Sequence, residues 1–534
     1  MMRKLLLLML LPVLAAWTLT SACGKEKSPG QASRALTAQP ALGRVIVLGF
    51  DGLEPSLVRQ WVGEGKLPNF GRVIEAGAFG PLLSVVPASS APAWSSAVTG
   101  VNPGKHGIYG FLMDAIPGFM SDSPKAAPRS PVFCTSSNRG FLAVWDVLGR
   151  YGRRSTLINI PLTSPADSLS GLMISGFPHA SDDTSSYYWP PEAARYLGDY
   201  IFDAFGVTVA KGREREFLAD LDATSEKRLR LGLTLFDAAD WDLFWLVFTF
   251  TDRYQHYFWK YMDKTHPMYD AEGGRLYGGA IEAAYRRADA YLGKFMEKMR
   301  DSDMLIVMSD HGFGPVRYVI NSHNFLFRTL GQTPEAMCAD YFGIKFRVST
   351  SGTNAEEKYT SLRNTLVAGL NDLRDPSLGR PIVDSVYVRE ELYKGPYLSM
   401  APDVTGIETD GYLFFTLPRT PDLRLFDAGP SPDQMFSGFH RRRGTLALYG
   451  KHVKAGQAVE ARILDIAPTI LAYLGVPAPA EIDGSVPTQA FRDEVAGRMA
   501  LAKSQESGYR KPQNLANQDT KKIEKQLRAV GYIQ

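Results

Sequence analysis

Val45-Ile46-Val47-Leu48-Gly49-Phe50-Asp51 is a short apolar run that stops at an aspartate, and the chain repeats this pattern twice. The repeats are Phe244-Trp245-Leu246-Val247-Phe248-Thr249-Phe250-Thr251-Asp252 and Met304-Leu305-Ile306-Val307-Met308-Ser309-Asp310. Runs so short and so apolar predict buried parallel strands. In an open α/β sheet, ligands bind outside the carboxyl ends of the strands. Three carboxylates delivered to that edge repel one another unless positive charge sits among them. A divalent metal ion, or a pair of them, supplies that charge.

Histidines accompany the aspartates. His256 follows Asp252 by four residues, and His311 follows Asp310 directly. His440 lies in Ser437-Gly438-Phe439-His440, just before another strand-like run, Thr445-Leu446-Ala447-Leu448-Tyr449. Carboxylate oxygen with imidazole nitrogen suits zinc, and manganese or iron also fits. A single aspartate after a strand is ordinarily a helix cap or turn residue. Five such residues at three strand ends, with a later histidine, point past that explanation.

A hydroxyl nucleophile also has a place. In Ser89-Ser90-Ala91-Pro92-Ala93-Trp94-Ser95-Ser96-Ala97-Val98-Thr99-Gly100, Pro92 suits the first turn of a helix that runs to Gly100. A serine at the mouth of that helix sits beside unpaired N–H groups and the positive end of the helix dipole, which favours an anionic substrate. Beside a metal, such a hydroxyl can lose its proton and attack phosphorus.

The chain opens Met1-Met2-Arg3-Lys4, continues with an apolar run from Leu5 to Ala16 and reaches Thr20-Ser21-Ala22-Cys23. This predicts a secretory signal over 1–23. Cys23 after Ser21-Ala22 resembles a bacterial lipobox, with Thr20 where leucine is more usual; ordinary signal-peptidase cleavage is the alternative. Residues 24–40, rich in polar residues and proline, read as a tether. The expectation is therefore an exported protein of the periplasm or cell envelope, held at the membrane through a lipid on Cys23. A net charge of +3 on 534 residues gives no sign of nucleic-acid binding. The remaining cysteines, Cys134 and Cys338, exclude a Cys₄ or CxxC metal site.

Several ordered segments resemble the alkaline phosphatase superfamily, in particular its type I phosphodiesterase/nucleotide pyrophosphatase family. They are Gly49-Phe50-Asp51-Gly52-Leu53-Glu54-Pro55, Gly65-Lys66-Leu67-Pro68-Asn69-Phe70, Ser90-Ala91-Pro92-Ala93-Trp94 and Thr99-Gly100-Val101-Asn102-Pro103-Gly104-Lys105-His106-Gly107-Ile108. Ser309-Asp310-His311-Gly312-Phe313-Gly314-Pro315 and Asp465-Ile466-Ala467-Pro468-Thr469-Ile470-Leu471 follow in the family's order. The resemblance implies two divalent metal ions, usually Zn2+, with Mn2+ as an alternative. Asp51, Ser90, Asp310 and His311 would hold one, and Asp252, His256 and His440 the other. Ser90 takes the nucleophile position, giving a phosphoseryl intermediate that water then hydrolyses. One departure concerns substrate: nucleotide pyrophosphatases commonly carry asparagine three residues after the nucleophile, where this chain has Ala93.

Neighbouring chemistries are excluded by residues. Trp94 stands where a sulfatase signature needs arginine. Gly100-Val101-Asn102-Pro103-Gly104-Lys105-His106 has one residue too few between its glycines for a phosphate loop, and no Ser/Thr follows the lysine. His106 and His323 read as structural.

The expected architecture is α/β: a doubly wound, mostly parallel sheet between helices, alkaline-phosphatase-like, with inserted cap segments. The catalytic domain spans 41–499, with caps at about 110–235 and 325–435 and a peripheral tail over 500–534. The expected activity is metal-dependent phosphodiester hydrolysis of a small-molecule or lipid phosphate ester. Phosphomonoester hydrolysis and phosphoryl-headgroup transfer are the alternatives, and a non-catalytic envelope binding protein is the alternative of another class.

Overall fold

Val45–Phe50 forms the centre of the main sheet, and all six of its residues are buried. In this computed structural model the described residues are 38–113, 132–179, 181, 183–203, 212–331, 335–340, 342–422, 424–427, 436–513 and 520–529. The expected leader over 1–23 lies outside them, as does the expected tether except residues 38–40. Leu243–Phe248 pairs in parallel with one side of the central strand and Met304–Met308 with the other. Ser155–Ile158 and Gly171–Ile174 extend the parallel set. On the far flank Arg443–Tyr449 runs antiparallel between Met304–Met308 and Ala78–Leu83. The fold is mixed α/β with a mostly parallel sheet.

Helices cover both faces, as continuous apolar strands require. Side chains alternate across a strand. Val45 and Val47 therefore join a core with the helices Ser90–Thr99, Val144–Arg150 and Ile466–Tyr473. Ile46, Leu48 and Phe50 join the opposite core with Pro55–Gly63, Phe250–Met262 and Ala280–Met296. Register places Phe50 beside Phe248 and Gly49 beside Met308. The three strands thus end level, and whatever follows each meets at one edge.

Three expectations change. The run from Phe244 to Asp252 is strand only as far as Phe248, and Asp252 lies in the first turn of the helix Phe250–Met262. Phe250, Tyr254 and Phe258 recur every fourth residue and are buried, so helical periodicity wins over the apolar run. The stretch 110–235 is not simply a cap, since Ser155–Ile158 and Gly171–Ile174 belong to the main sheet and Glu214–Ala238 packs on it. The tail is not peripheral either. Its helix Thr520–Ala529 buries Ile523 and Leu527, four residues apart on one face, against Ala91, Phe111, Phe133 and Phe177.

After Met304–Met308 the chain enters the long strand Gly312–Asn321, which pairs with Gly438–Arg441 near its start and with Gly411–Phe415 further on. A second sheet, of Ala336–Cys338, Lys345–Val348, Val404–Glu408 and Val383–Val388, packs with the helices Ser322–Leu330 and Ala355–Asn371. These elements fall in the stretch expected as the second cap. Cys134 lies in the core under the tail helix and Cys338 in this second sheet, and no disulfide joins them. No helix among the described residues is long and apolar enough to cross a membrane.

The docked tail yields a stability test. Ile523 is fully buried, so Ile523→Ala should destabilise the fold by about 2–4 kcal/mol, read as a lower denaturant midpoint. An unchanged midpoint would show that the helix does not dock.

Candidate metal centre

Asp51 follows the central strand, and Asp310 and His311 follow Met304–Met308. Asp252 and His256 lie one turn apart on the helix Phe250–Met262, hence on one face. His440 comes from Gly438–Arg441, where it pairs with Phe313. Ser90 opens the helix Ser90–Thr99, with Ser89 in extended geometry before it. All seven side chains are buried, and the structure brings all seven together.

Their facing atoms form two adjoining groups. Nε2 of His256 and Nε2 of His440 are 3.1 Å apart, and each is 3.3 Å from Oδ1 of Asp252. Nε2 of His311 is 3.3 Å from Oδ2 of Asp310, 3.5 Å from Oδ1 of Asp51 and 3.3 Å from Oγ of Ser90. Ser90 Oγ is 3.5 Å from Oδ1 of Asp51. His311 also connects the groups: its Nε2 is 4.0 Å from Oδ1 of Asp252, and its ring stacks on His440 with centroids 3.6 Å apart.

Hydrogen bonds fix which ring atoms face inward. Nδ1 of His256 donates to the carbonyl of Gly438, Nδ1 of His311 to that of Gly312, and Nδ1 of His440 to that of Ala88. A carbonyl oxygen only accepts, so each Nδ1 carries a proton and each Nε2 is turned to the centre. The Nε2 atoms of His256 and His440 lie 3.1 Å apart, a spacing that needs a proton or a metal ion between them. The carboxylates divide their oxygens similarly. Trp94 Nε1 donates to Oδ2 of Asp51, and the Gly52 N–H to Oδ1 of Asp310. Oδ1 of Asp252 and Oδ2 of Asp310 are buried without a hydrogen bond.

The residues fit a metal. Tetrahedral zinc with bonds near 2.0–2.1 Å has ligand-to-ligand edges of about 3.3 Å, and the edges here run from 3.1 to 3.5 Å. Electrostatics agree. Burial, then Asp310 and Asp252, raises the Asp51 carboxyl well above its ordinary value. Burial and then Asp252 push Asp310 up to about 7. Positive charge at the facing His256 and His440 edges would outweigh burial and hold the Asp252 carboxyl well below the usual range, the part a cation takes when those rings are neutral. Burial depresses His311, and burial with His311 depresses His440 further. Depressed imidazoles are neutral, the form that ligates metal.

Some of the centre left no sequence signal. The carbonyls of Ala88, Gly312 and Gly438 are backbone atoms, so no side chain announces them. Trp94 carries no metal-binding or acid–base signal of its own, yet its Nε1 holds Asp51. Gly49 makes that possible, because a Cβ there would meet the Trp94 ring at 2.6 Å. His106 and His323 lie elsewhere. His106 bonds Ser96 Oγ and accepts from the Ile108 N–H, while burial lowers it to about 3. His323 bonds the Leu417 carbonyl.

A mostly parallel sheet that gathers three aspartates, three histidines and a helix-opening serine at its carboxyl edge suits a hydrolase of phosphoric esters equipped for metal. The profile of the type I phosphodiesterase / nucleotide pyrophosphatase family matches residues 45–440, and the chain belongs to that family, which is metal-dependent. Among solved structures, murine ectonucleotide pyrophosphatase/phosphodiesterase 5, inactive and in complex with AMP, is similar with a TM-score of 0.51 at 16% identity. Phosphonoacetate hydrolase from Sinorhizobium meliloti in complex with phosphonoacetate is similar with a TM-score of 0.53, also at 16% identity. Each comparison covers 83% of this chain and 97% of the other. At this identity the likeness is one of fold. No curated protein matches the chain by sequence.

Changes to groups that merely support a metal ligand already cost about 10–100-fold in affinity. Asp252→Asn and His440→Ala should therefore lose metal through extended dialysis that leaves the parent loaded, measured by elemental analysis. Variants that stay as fully loaded as the parent would remove these residues from the ligand set.

Proposed function

We propose that the protein is a two-metal phosphodiesterase with Ser90 as its nucleophile. Asp51, Ser90, Asp310 and His311 would hold one ion, and Asp252, His256 and His440 the other. The observation that carries this is the pair of adjoining donor groups, each spaced for one ion, with the Ser90 hydroxyl in the first. Divalent ions bound there offset the clustered carboxylates, polarise a phosphoryl oxygen and ease proton loss from a hydroxyl or water; zinc suits the donors and manganese is the alternative.

The chain's own groups do the rest. Ser90 sits in the first helical turn, whose N–H groups lie outside the helix's own ladder and favour an anion. Its Oγ attacks phosphorus in line, the ester oxygen departs with a proton as the alcohol, and a phosphoseryl diester remains. Attack by water then breaks the Oγ–P bond, returns the serine hydroxyl and releases a phosphomonoester. The three Nδ1–carbonyl bonds keep the imidazoles oriented throughout.

Related proteins support a phosphoryl group on a small organic body as the substrate, since AMP and phosphonoacetate are the ligands bound to the two neighbours. With divalent metal present, bis-p-nitrophenyl phosphate should turn over faster than p-nitrophenyl phosphate. Ser90→Ala should reduce kcat for the diester at least about 10³-fold, by analogy with the loss of other catalytic nucleophiles. A faster monoester rate would move the enzyme to the phosphatase alternative, and a variant with parental turnover would displace Ser90 as nucleophile.

Export and lipid anchoring belong to the same proposal, supported by Met1-Met2-Arg3-Lys4, the apolar run after it and Cys23. Cells making Cys23→Ala should shift the protein from the membrane fraction to the soluble fraction. Unchanged membrane association would argue for ordinary cleavage or another anchor.

A further inference from the structure

A cavity beside the metal centre is bounded on the serine side by Val86 and Ser89, and across from them by Phe342, Ile344 and Ile407 of the second sheet and its approach. Leu112, Phe439 and His440 also line it. Ser89 precedes the nucleophile and His440 carries one of the central imidazoles, so a phosphoryl group at the centre would have this cavity as its neighbour.

The charged residues at its wall bear on what enters. Lys345 Nζ lies 2.5 Å from Oδ2 of Asp340 with its side chain 7% exposed, so this pair is internally neutral. Arg441 is held by Asp410 at 2.6 Å and donates to the carbonyls of His440 and Pro315. Burial raises the Glu408 carboxyl, which favours its neutral form. Arg442 donates to the Ser84 carbonyl from an exposed position, where solvent and salt screen it. A second phosphate, or the polar edges of a nucleobase, would be desolvated against these walls with few groups to compensate. An apolar group gains from the same walls.

We infer that this cavity takes the organic group of the phosphate ester, and that the group is an apolar alcohol rather than a nucleoside. The inference rests on the phosphoester reading of the metal centre. It makes Leu112 and Ile407, both half-buried at the cavity wall, specificity-determining residues.

Alkylphosphonates test it, because they carry one phosphoryl group and one organic group and are not hydrolysed as esters. Calorimetric titration of the metal-loaded full chain with methyl-, ethyl-, propyl- and butylphosphonate should show affinity rising by about fourfold per methylene. Adenosine 5′-monophosphate should bind no tighter than methylphosphonate. Ile407→Asp and Leu112→Asp should each flatten the series. A flat series in the parent protein, a steep series retained in both variants, or AMP binding tighter than butylphosphonate would overturn the assignment. Methylphosphonate bound with a flat series would leave the phosphoester reading intact, whereas no binding of methylphosphonate would overturn both.

Discussion

Three buried carboxylates at one sheet edge are the constraint on which the rest of this structure depends. Asp51, Asp252 and Asp310 are at most 5% exposed, and burying a single carboxylate costs several kcal/mol even after relaxation. The fold does not separate them. It aligns three neighbouring strands so that they meet, and surrounds them with imidazoles whose Nε2 atoms face inward. Every one of those orientations is set by a backbone carbonyl. An arrangement this costly in an empty protein is stabilised when cations enter, so metal binding and stability of the edge are one equilibrium.

Much of this was legible in the sequence because it rests on short-range pattern. Asp51 and Asp310 end apolar runs, and those runs proved to be the central strand and its neighbour. Asp252 and His256 were legible as residues but not as elements. Their aromatic-rich helix begins after a single residue, Thr249, beyond the strand Leu243–Phe248, so hydrophobicity alone carried the strand too far. Ser155–Ile158 and Gly171–Ile174 are four residues each and set among prolines, too short for alternation to distinguish them from loops. The tail helix hides two apolar residues among three lysines, a glutamate and an arginine, and only its partner surface shows that Ile523 and Leu527 matter. The carbonyls that orient the histidines are invisible to any side-chain pattern.

The two layers divide the work. The main sheet fixes the phosphoryl chemistry by register, which tolerates little change, because a slip of one residue would move Asp51 or Asp310 off the edge. The second sheet meets that edge at the cavity wall, through Ile407 and its neighbours. Family membership accordingly speaks to the chemistry, and the cavity's own residues speak to the ester.

Whether the clustered donors hold two ions, as proposed, is read out by anomalous diffraction from crystals of the metal-loaded protein. Two peaks are expected, one about 2.0–2.2 Å from Nε2 of His256, Nε2 of His440 and a carboxylate oxygen of Asp252, the other at similar distances from Asp51, Asp310 and His311. A single peak, or peaks away from these seven residues, would contradict the proposal.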